Sequence, residues 1–199
     1  MKSGPIGLNA RAVIRLGDYL KRFTLIKPET EEVFCIAYGS NLNETRMGQR
    51  CPGAEAFGTS VIVGYRMLFK QSMTGAYATI EQDANSCVPV LIYRMTAADE
   101  ARLDRFEGYP KYYYKREFFL PVWNLKGRRL KKRRTCIAYI MHEHRLLGVP
   151  SMDYFRLLDD GYDRWGFDKE ALDVALENSI GYKQAAAWIR TYEKERSRT

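Results

Sequence analysis

Strand-like runs fill the middle of this chain and helix-like runs its last third, and this segregation constrains the fold more than any other feature of the sequence. Val33-Phe34-Cys35-Ile36-Ala37-Tyr38 is a continuous apolar run of strand length, stopped by Gly39-Ser40-Asn41. Residues 59–69, 76–80, 88–94, 116–123 and 134–141 are rich in β-branched and aromatic side chains and read as further strands. Helical patterns cover 43–49 and 96–107, then 151–162, 168–179 and 182–196. Strands followed by helices define an α+β class, and about six strands ahead of a helical C-terminal extension suit a small barrel with helices outside.

The length of 199 residues suits one domain, and 46% hydrophobic with 28% charged residues is a globular composition. That domain is expected over 33–199, with its helical tail from 151. Residues 1–32 form a basic arm in which Val13, Ile14, Leu16, Leu20 and Phe23 are spaced loosely as an amphipathic helix, ending at Lys27-Pro28-Glu29. Asp18 and the low serine content argue against a transit peptide. Every apolar window is interrupted by Arg or Lys well short of the roughly 20 residues that span a bilayer, so no membrane span is expected. Cys35, Cys51, Cys87 and Cys136 are scattered, with no C-x-x-C pair and no secretory segment before them. This pattern suits reduced thiols in a cytoplasmic protein. Cys35, Cys87 and Cys136 lie in strand-like runs and read as small buried hydrophobes.

Two stretches carry chemistry. In Tyr38-Gly39-Ser40-Asn41-Leu42 a buried strand turns towards a short helix beginning near Asn43, and glycine allows successive N–H groups to converge on a carboxylate or carbonyl oxygen. An ordinary strand-to-helix turn has the same composition. The second stretch, Thr96 to Gly108, opens with the capping-box pattern Thr96-Ala97-Ala98-Asp99. Leu103, Phe106 and Glu107 then fall at i, i+3 and i+4, so a face that buries Leu103 and Phe106 also turns the Glu107 carboxylate inward. Burial and the negative end of the helix dipole before Gly108 both favour the protonated acid, which suits a group that must accept and return a proton. A structural glutamate paired with an Arg or Lys is the competing explanation.

Together these stretches resemble the gamma-glutamylcyclotransferase-like, or AIG2-like, family. The matching residues are Tyr38 to Asn43, Met47 with Arg50-Cys51-Pro52, Ala78-Thr79-Ile80-Glu81, Val88-Pro89-Val90, Leu103 to Tyr109 and Tyr114-Lys115-Arg116. Gly148-Val149-Pro150-Ser151 and Asp160-Gly161-Tyr162 look like the extension of bacterial members. The resemblance implies a small mixed β-barrel of about six strands with peripheral helices and a helical C-terminal extension, and a cofactor-independent and metal-free enzyme that cyclises a small gamma-glutamyl amine or peptide to 5-oxoproline and releases the amine. It implies that Glu107 is the general acid/base and that Tyr38, Gly39, Ser40, Asn41 and Leu42 hold the gamma-glutamyl group. Tyr114 and, more weakly, Thr79 are implied as pocket residues; Tyr114 could equally fill the core.

Rival signals are weaker. Residues 126–134 carry seven Lys and Arg and no acid. They join two strand candidates with Gly127 near the turn, so a solvated hairpin tip ranks first and nucleic-acid contact second. Aromatic residues do not interleave this stretch. His142 and His144 flank Glu143 without a third ligand at a recognised spacing, so no metal site is expected. A noncatalytic ligand-binding module on the same fold is the third reading. Nothing in the pattern sets an oligomeric state.

Overall fold

The computed structural model describes residues 32–198. The expected N-terminal arm therefore lies outside the described residues, apart from Glu32. The elements are β1 (Val33–Ala37), a 3-10 turn (Ser40–Leu42), α1 (Glu44–Arg50), β2 (Glu55–Gln71), β3 (Ala76–Met95), α2 (Ala97–Glu107), β4 (Tyr113–Leu120), β5 (Trp123–Asn124), β6 (Arg134–Met141), α3 (Met152–Trp165), α4 (Glu170–Ile180) and α5 (Tyr182–Arg196).

All six strands join one mixed sheet in the order β4-β6-β1-β3-β2-β5. The apolar β1 lies inside it, antiparallel to β3 (Val33 opposite Met95) and parallel to β6 (Cys35 opposite Ile137). Successive residues Cys35, Ile36 and Ala37 point to alternate faces and are all buried, so both faces of β1 are covered there, which accounts for its unbroken apolar run. The sheet curls until the Tyr65 ring of β2 meets Phe118 of β4 edge-on at 5.2 Å. Its end strands, β4 and β5, do not pair, so the α+β class holds while the sheet stops short of a closed barrel.

Two expected strands, 76–80 and 88–94, are halves of the single β3. The polar residues between them read as a loop. In the fold Tyr65 pairs with Gln82 and Val63 with Cys87, so residues 83–86 bulge out opposite Gly64 while the strand continues. Asp83 stabilises the bulge by accepting from the Asn85 N–H (3.1 Å) and the Ser86 hydroxyl (2.9 Å). Cys87, next to this bulge, is exposed, unlike Cys35, Cys51 and Cys136, which are buried. Pro121 ends β4, leaving Trp123 to begin β5.

The helical tail closes the sheet. In α3, Phe155, Leu158 and Tyr162 follow helical spacing and are buried, each contributing about 1.5–3 kcal/mol of apolar transfer. Trp165 donates its indole N–H to the Leu42 carbonyl at 2.9 Å, and Ser179 of α4 accepts from the Phe69 N–H of β2 at 2.7 Å. Buried Asp159 accepts from the Tyr192 hydroxyl (2.7 Å), faces Lys169 at 2.7 Å and pairs with Arg196, tying α3 to α5. Among the described residues no helix is long and apolar enough to cross a membrane.

Candidate active site

The strand-to-helix turn after β1 and the C-terminus of α2 meet at a cavity of about 480 Å³. After Tyr38 the chain turns through Gly39, and the Leu42 N–H returns to the Gly39 carbonyl at 2.9 Å. Asn43 caps α1 by accepting from the Arg46 N–H at 3.0 Å. That helix carries Arg50 back to the turn, where its guanidinium donates to the Ser40 hydroxyl at 3.0 Å and also hydrogen-bonds the Asn41 side-chain carbonyl.

The α2 helix has the expected capping box: the Thr96 hydroxyl oxygen accepts from the Asp99 N–H (3.2 Å), and the Asp99 carboxylate accepts from the Thr96 backbone N–H (3.4 Å). Its far end closes on Gly108, whose N–H reaches the Arg105 carbonyl, while the Tyr109 N–H reaches that of Asp104 at 2.9 Å. Leu103 is fully buried and anchors the helix. Phe106 is 55% exposed, contrary to the expectation that it would be buried with Leu103. One turn on from Leu103 it lies on the flank of the buried face, with its ring 3.8 Å from the Arg50 guanidinium carbon.

Glu107 is half-buried at the cavity wall and accepts from the Asn41 amide at 3.1 Å. Among the described residues no Lys or Arg stands at ion-pair distance from it. Burial raises its carboxyl above the usual carboxylate range, opposed in part by the Asn41 hydrogen bond and the Arg50 charge. Asn41 thus relays between a cation and an acid, accepting from Arg50 and donating to Glu107. Tyr38, whose hydroxyl donates to the Tyr139 carbonyl, is held well above the ordinary phenol range by burial.

Five of the residues singled out in the sequence, Tyr38, Gly39, Ser40, Asn41 and Glu107, line this one cavity. Leu42, Thr79 and Tyr114 do not. Leu42 points into the core against Gly161. The buried Thr79 hydroxyl accepts from the Met141 N–H at 2.9 Å, joining β3 to β6. Tyr114 faces the other side of β4 and donates to the Glu143 carboxylate at 2.6 Å. Its neighbour Tyr113 lines the cavity instead, because successive strand residues point to opposite faces.

Sequence reasoning passed over Arg50 and Tyr154 as site residues. Arg50 reads as an ordinary cation at a helix C-terminus. Tyr154 lies in the tail helix, where it accepts from the Ala78 N–H at 3.1 Å and approaches Gly39. No local signal marks either. His142 and His144 follow the end of β6, stacked at 5.7 Å, with the His142 ring hydrogen-bonded to the Pro110 carbonyl at 2.9 Å. Among the described residues no cluster of three or more His, Cys, Asp or Glu could hold a metal ion.

Fold and cavity together define an α+β protein with a cavity between a strand-to-helix turn and a half-buried glutamate. The chain belongs to the gamma-glutamyl cyclotransferase, AIG2-like family, whose pattern matches residues 35–157. No curated protein sequence matches it. Among solved structures, a human protein described as uncharacterized is similar at 27% identity, over 70% of this chain and 83% of that one, with a TM-score of 0.61. A gamma-glutamyl cyclotransferase superposes at 23% identity over 81% of this chain and 99% of that one, TM-score 0.64. YkqA from Bacillus subtilis superposes at 21% identity over 72% and 53%, TM-score 0.51.

Proposed function

We propose that the protein cyclises a gamma-glutamyl amide to 5-oxoproline and releases the attached amine, with Glu107 as general acid and base. The observation that carries this reading is a half-buried carboxylate on the cavity wall, held by a neutral amide and with its proton affinity raised. An ionised Glu107 takes a proton from the substrate's alpha-ammonium group. The freed nitrogen attacks the side-chain carbonyl of the same residue, forming the C–N bond of a five-membered ring. Glu107 returns that proton to the departing nitrogen as the original amide bond breaks, then takes the second proton from the ring nitrogen, which becomes the lactam N–H, and passes it to the released amine, which leaves as its ammonium form with Glu107 ionised again. One carboxyl serves both steps because its pKa lies closer to the working pH than that of an exposed glutamate.

The cavity volume of about 480 Å³ accommodates a substrate of dipeptide size. In this reading the turn from Tyr38 to Asn41 positions the gamma-glutamyl group. The early N–H groups of the 3-10 turn have no partner one turn back and are available to a substrate oxygen. Arg50 fixes Asn41 and Ser40, and so fixes the orientation of Glu107. Tyr113 and Tyr154 wall the cavity and confine the amide to ring-closing geometry. Among the described residues lining it, Glu107 is the sole acid, while Arg46 and Arg105 are also present. An amine that itself bears a carboxylate therefore fits this cavity better than a cationic one.

The test is 5-oxoproline release from a panel of gamma-glutamyl dipeptides and gamma-glutamyl amines by wild type and Glu107→Gln. The amide conserves shape and cannot cycle a proton, so release is expected from wild type alone. Full activity in Glu107→Gln removes the residue from the mechanism. Silence of wild type across the panel points to a noncatalytic binding module.

A further inference from the structure

The proposed chemistry leaves the basic segment 126–134 unused. The chain's net charge of +8 arises from 32 Lys and Arg against 24 Asp and Glu. Setting aside the seven cations of this segment leaves 25 against 24, so nearly all of the excess sits in nine residues. Elsewhere cations such as Arg66, Lys70, Arg102, Lys115 and Lys169 face carboxylates. Among the described residues none of the seven does.

The segment is also built to present its charge. The Asn124 side chain accepts from the backbone N–H groups of Lys126 (3.1 Å) and Arg128 (2.9 Å), and the Gly127 N–H returns to the Asn124 carbonyl at 2.8 Å. The Leu130 N–H bonds the Val122 carbonyl at 2.8 Å. A held loop loses less entropy on binding than a flexible one.

The aromatic residues missing from the segment itself are supplied by other strands. The Arg129 guanidinium lies 5.9 Å from the Trp123 ring centre, Arg133 lies 5.6 Å from Phe119, and Arg134 lies 5.5 Å from Phe34. Phe119 remains 63% exposed. Beside the loop an open depression of about 660 Å³ is lined by Phe57, Leu125, Asn124, Lys126 and Arg128, an apolar floor with polar and cationic walls. Asn124 pairs with Gly58 near the start of β2, and Gly58 and Ile36, which lines the candidate active site, flank Ile92 from either side. About three strand spacings, roughly 15 Å across the sheet, therefore separate the two regions, and they share no lining residue.

We propose that this face binds single-stranded nucleic acid, with phosphates on the loop cations and bases against Phe119 and in the Phe57–Leu125 depression. Phosphate neutralisation supplies affinity and strong salt dependence, and ring stacking supplies the preference for unpaired strands. An anionic membrane would use the charge and the projecting Phe119 and Leu125, but a lipid surface does not enter the depression that Phe57 lines.

The experiment is a fluorescence anisotropy titration of the full chain against labelled oligouridine and oligothymidine of about 12 nucleotides, at about 50 to 300 mM salt. Binding to either strand is expected, with the logarithm of the association constant falling against the logarithm of salt with a slope of about −3 to −5, since each phosphate contributes about −0.7. Neutralising four exposed cations in K126Q/R128Q/K131Q/K132Q should weaken binding at least about tenfold and flatten the slope by about 3. Phe119→Ala, which keeps every cation, should weaken binding about fivefold or more with the slope unchanged. Thermal unfolding of both variants checks their fold, and the Phe119 variant and the wild-type slope still decide the matter if the quadruple variant is unstable. A wild-type slope flatter than about −1, unaltered binding by both variants, or binding to phosphatidylserine vesicles that excess oligouridine does not displace would each overturn the proposal.

Discussion

Gly108 ends the helix that carries Glu107, and its replacement by alanine separates two forces that act on the candidate site. Its backbone is left-handed, with φ 67° and ψ 38°. Gly166 ends α3 in nearly the same conformation, φ 66° and ψ 34°. A side chain in that region costs about 1–2 kcal/mol at either position. The surroundings differ: nothing lies within 4 Å of a Cβ built on Gly166, whereas one on Gly108 would stand 2.6 Å from Cδ2 of Tyr112, well inside van der Waals contact. Pushing that ring aside adds about 1–3 kcal/mol. Gly166→Ala should therefore lower stability by about 1.5 kcal/mol and Gly108→Ala by about 3.5 kcal/mol, or about 3–6 °C against about 7–14 °C in melting temperature for a domain of this size. Denaturant and thermal unfolding of the two glycine variants, of Tyr112→Ala, and of Gly108→Ala combined with Tyr112→Ala measure the terms, the non-additivity of the Gly108–Tyr112 cycle giving the clash alone. Since Tyr112 lines the cavity and Gly108 adjoins Glu107, kcat/KM in Gly108→Ala should fall by up to about 100-fold from a displacement of about 1 Å, with Gly166→Ala near wild type. Equal destabilisation by the two glycine variants, or no relief from Tyr112→Ala, would refute the steric reasoning.

Other outcomes follow from the same geometry. Arg50→Met removes the two hydrogen bonds that fix Ser40 and Asn41, and kcat/KM should fall at least about tenfold while the fold is retained. It also removes a cation that lowers the Glu107 pKa, so the acid limb of the kcat/KM profile, already above the ordinary 4.5, should move to higher pH; a limb that stays or moves down contradicts this assignment. Tyr113→Phe and Tyr114→Phe differ by one strand position, and a steady-state comparison should find KM or kcat altered only in the first, since Tyr114 serves Glu143 on the other face. Reversing charge at the cavity with Arg46→Glu and Arg105→Glu should shift the ratio of kcat/KM values for carboxylate-bearing over cationic leaving amines downward by at least about tenfold. An unchanged ratio rejects the charge-based preference.

Much of the architecture was legible along the chain because its local signals agree with the final packing. The unbroken apolar run of β1, the Thr96–Asp99 capping box and the glycine after Glu107 each specify a local conformation that the fold keeps. The turn from Tyr38 to Asn41 and the acid at 107 were legible for the same reason, since one follows a strand end and the other a helical spacing. Their meeting across 66 residues, with Asn41 donating to Glu107, belongs to the tertiary structure. So do Arg50 and Tyr154, whose local patterns read as a helix-end cation and a tail-helix aromatic. The tyrosine run from 112 to 114 shows the limit most plainly: side chains alternate faces along a strand, and only the pairing of Tyr113 with Met141 and Tyr114 with Ile140 decides which ring enters the cavity. Sequence determined which segments could be strands, turns and helices, because those depend on near neighbours. Register, the sheet's curl and the docking of α3 decided which side chains share the cavity, because those depend on contacts between residues far apart in the chain.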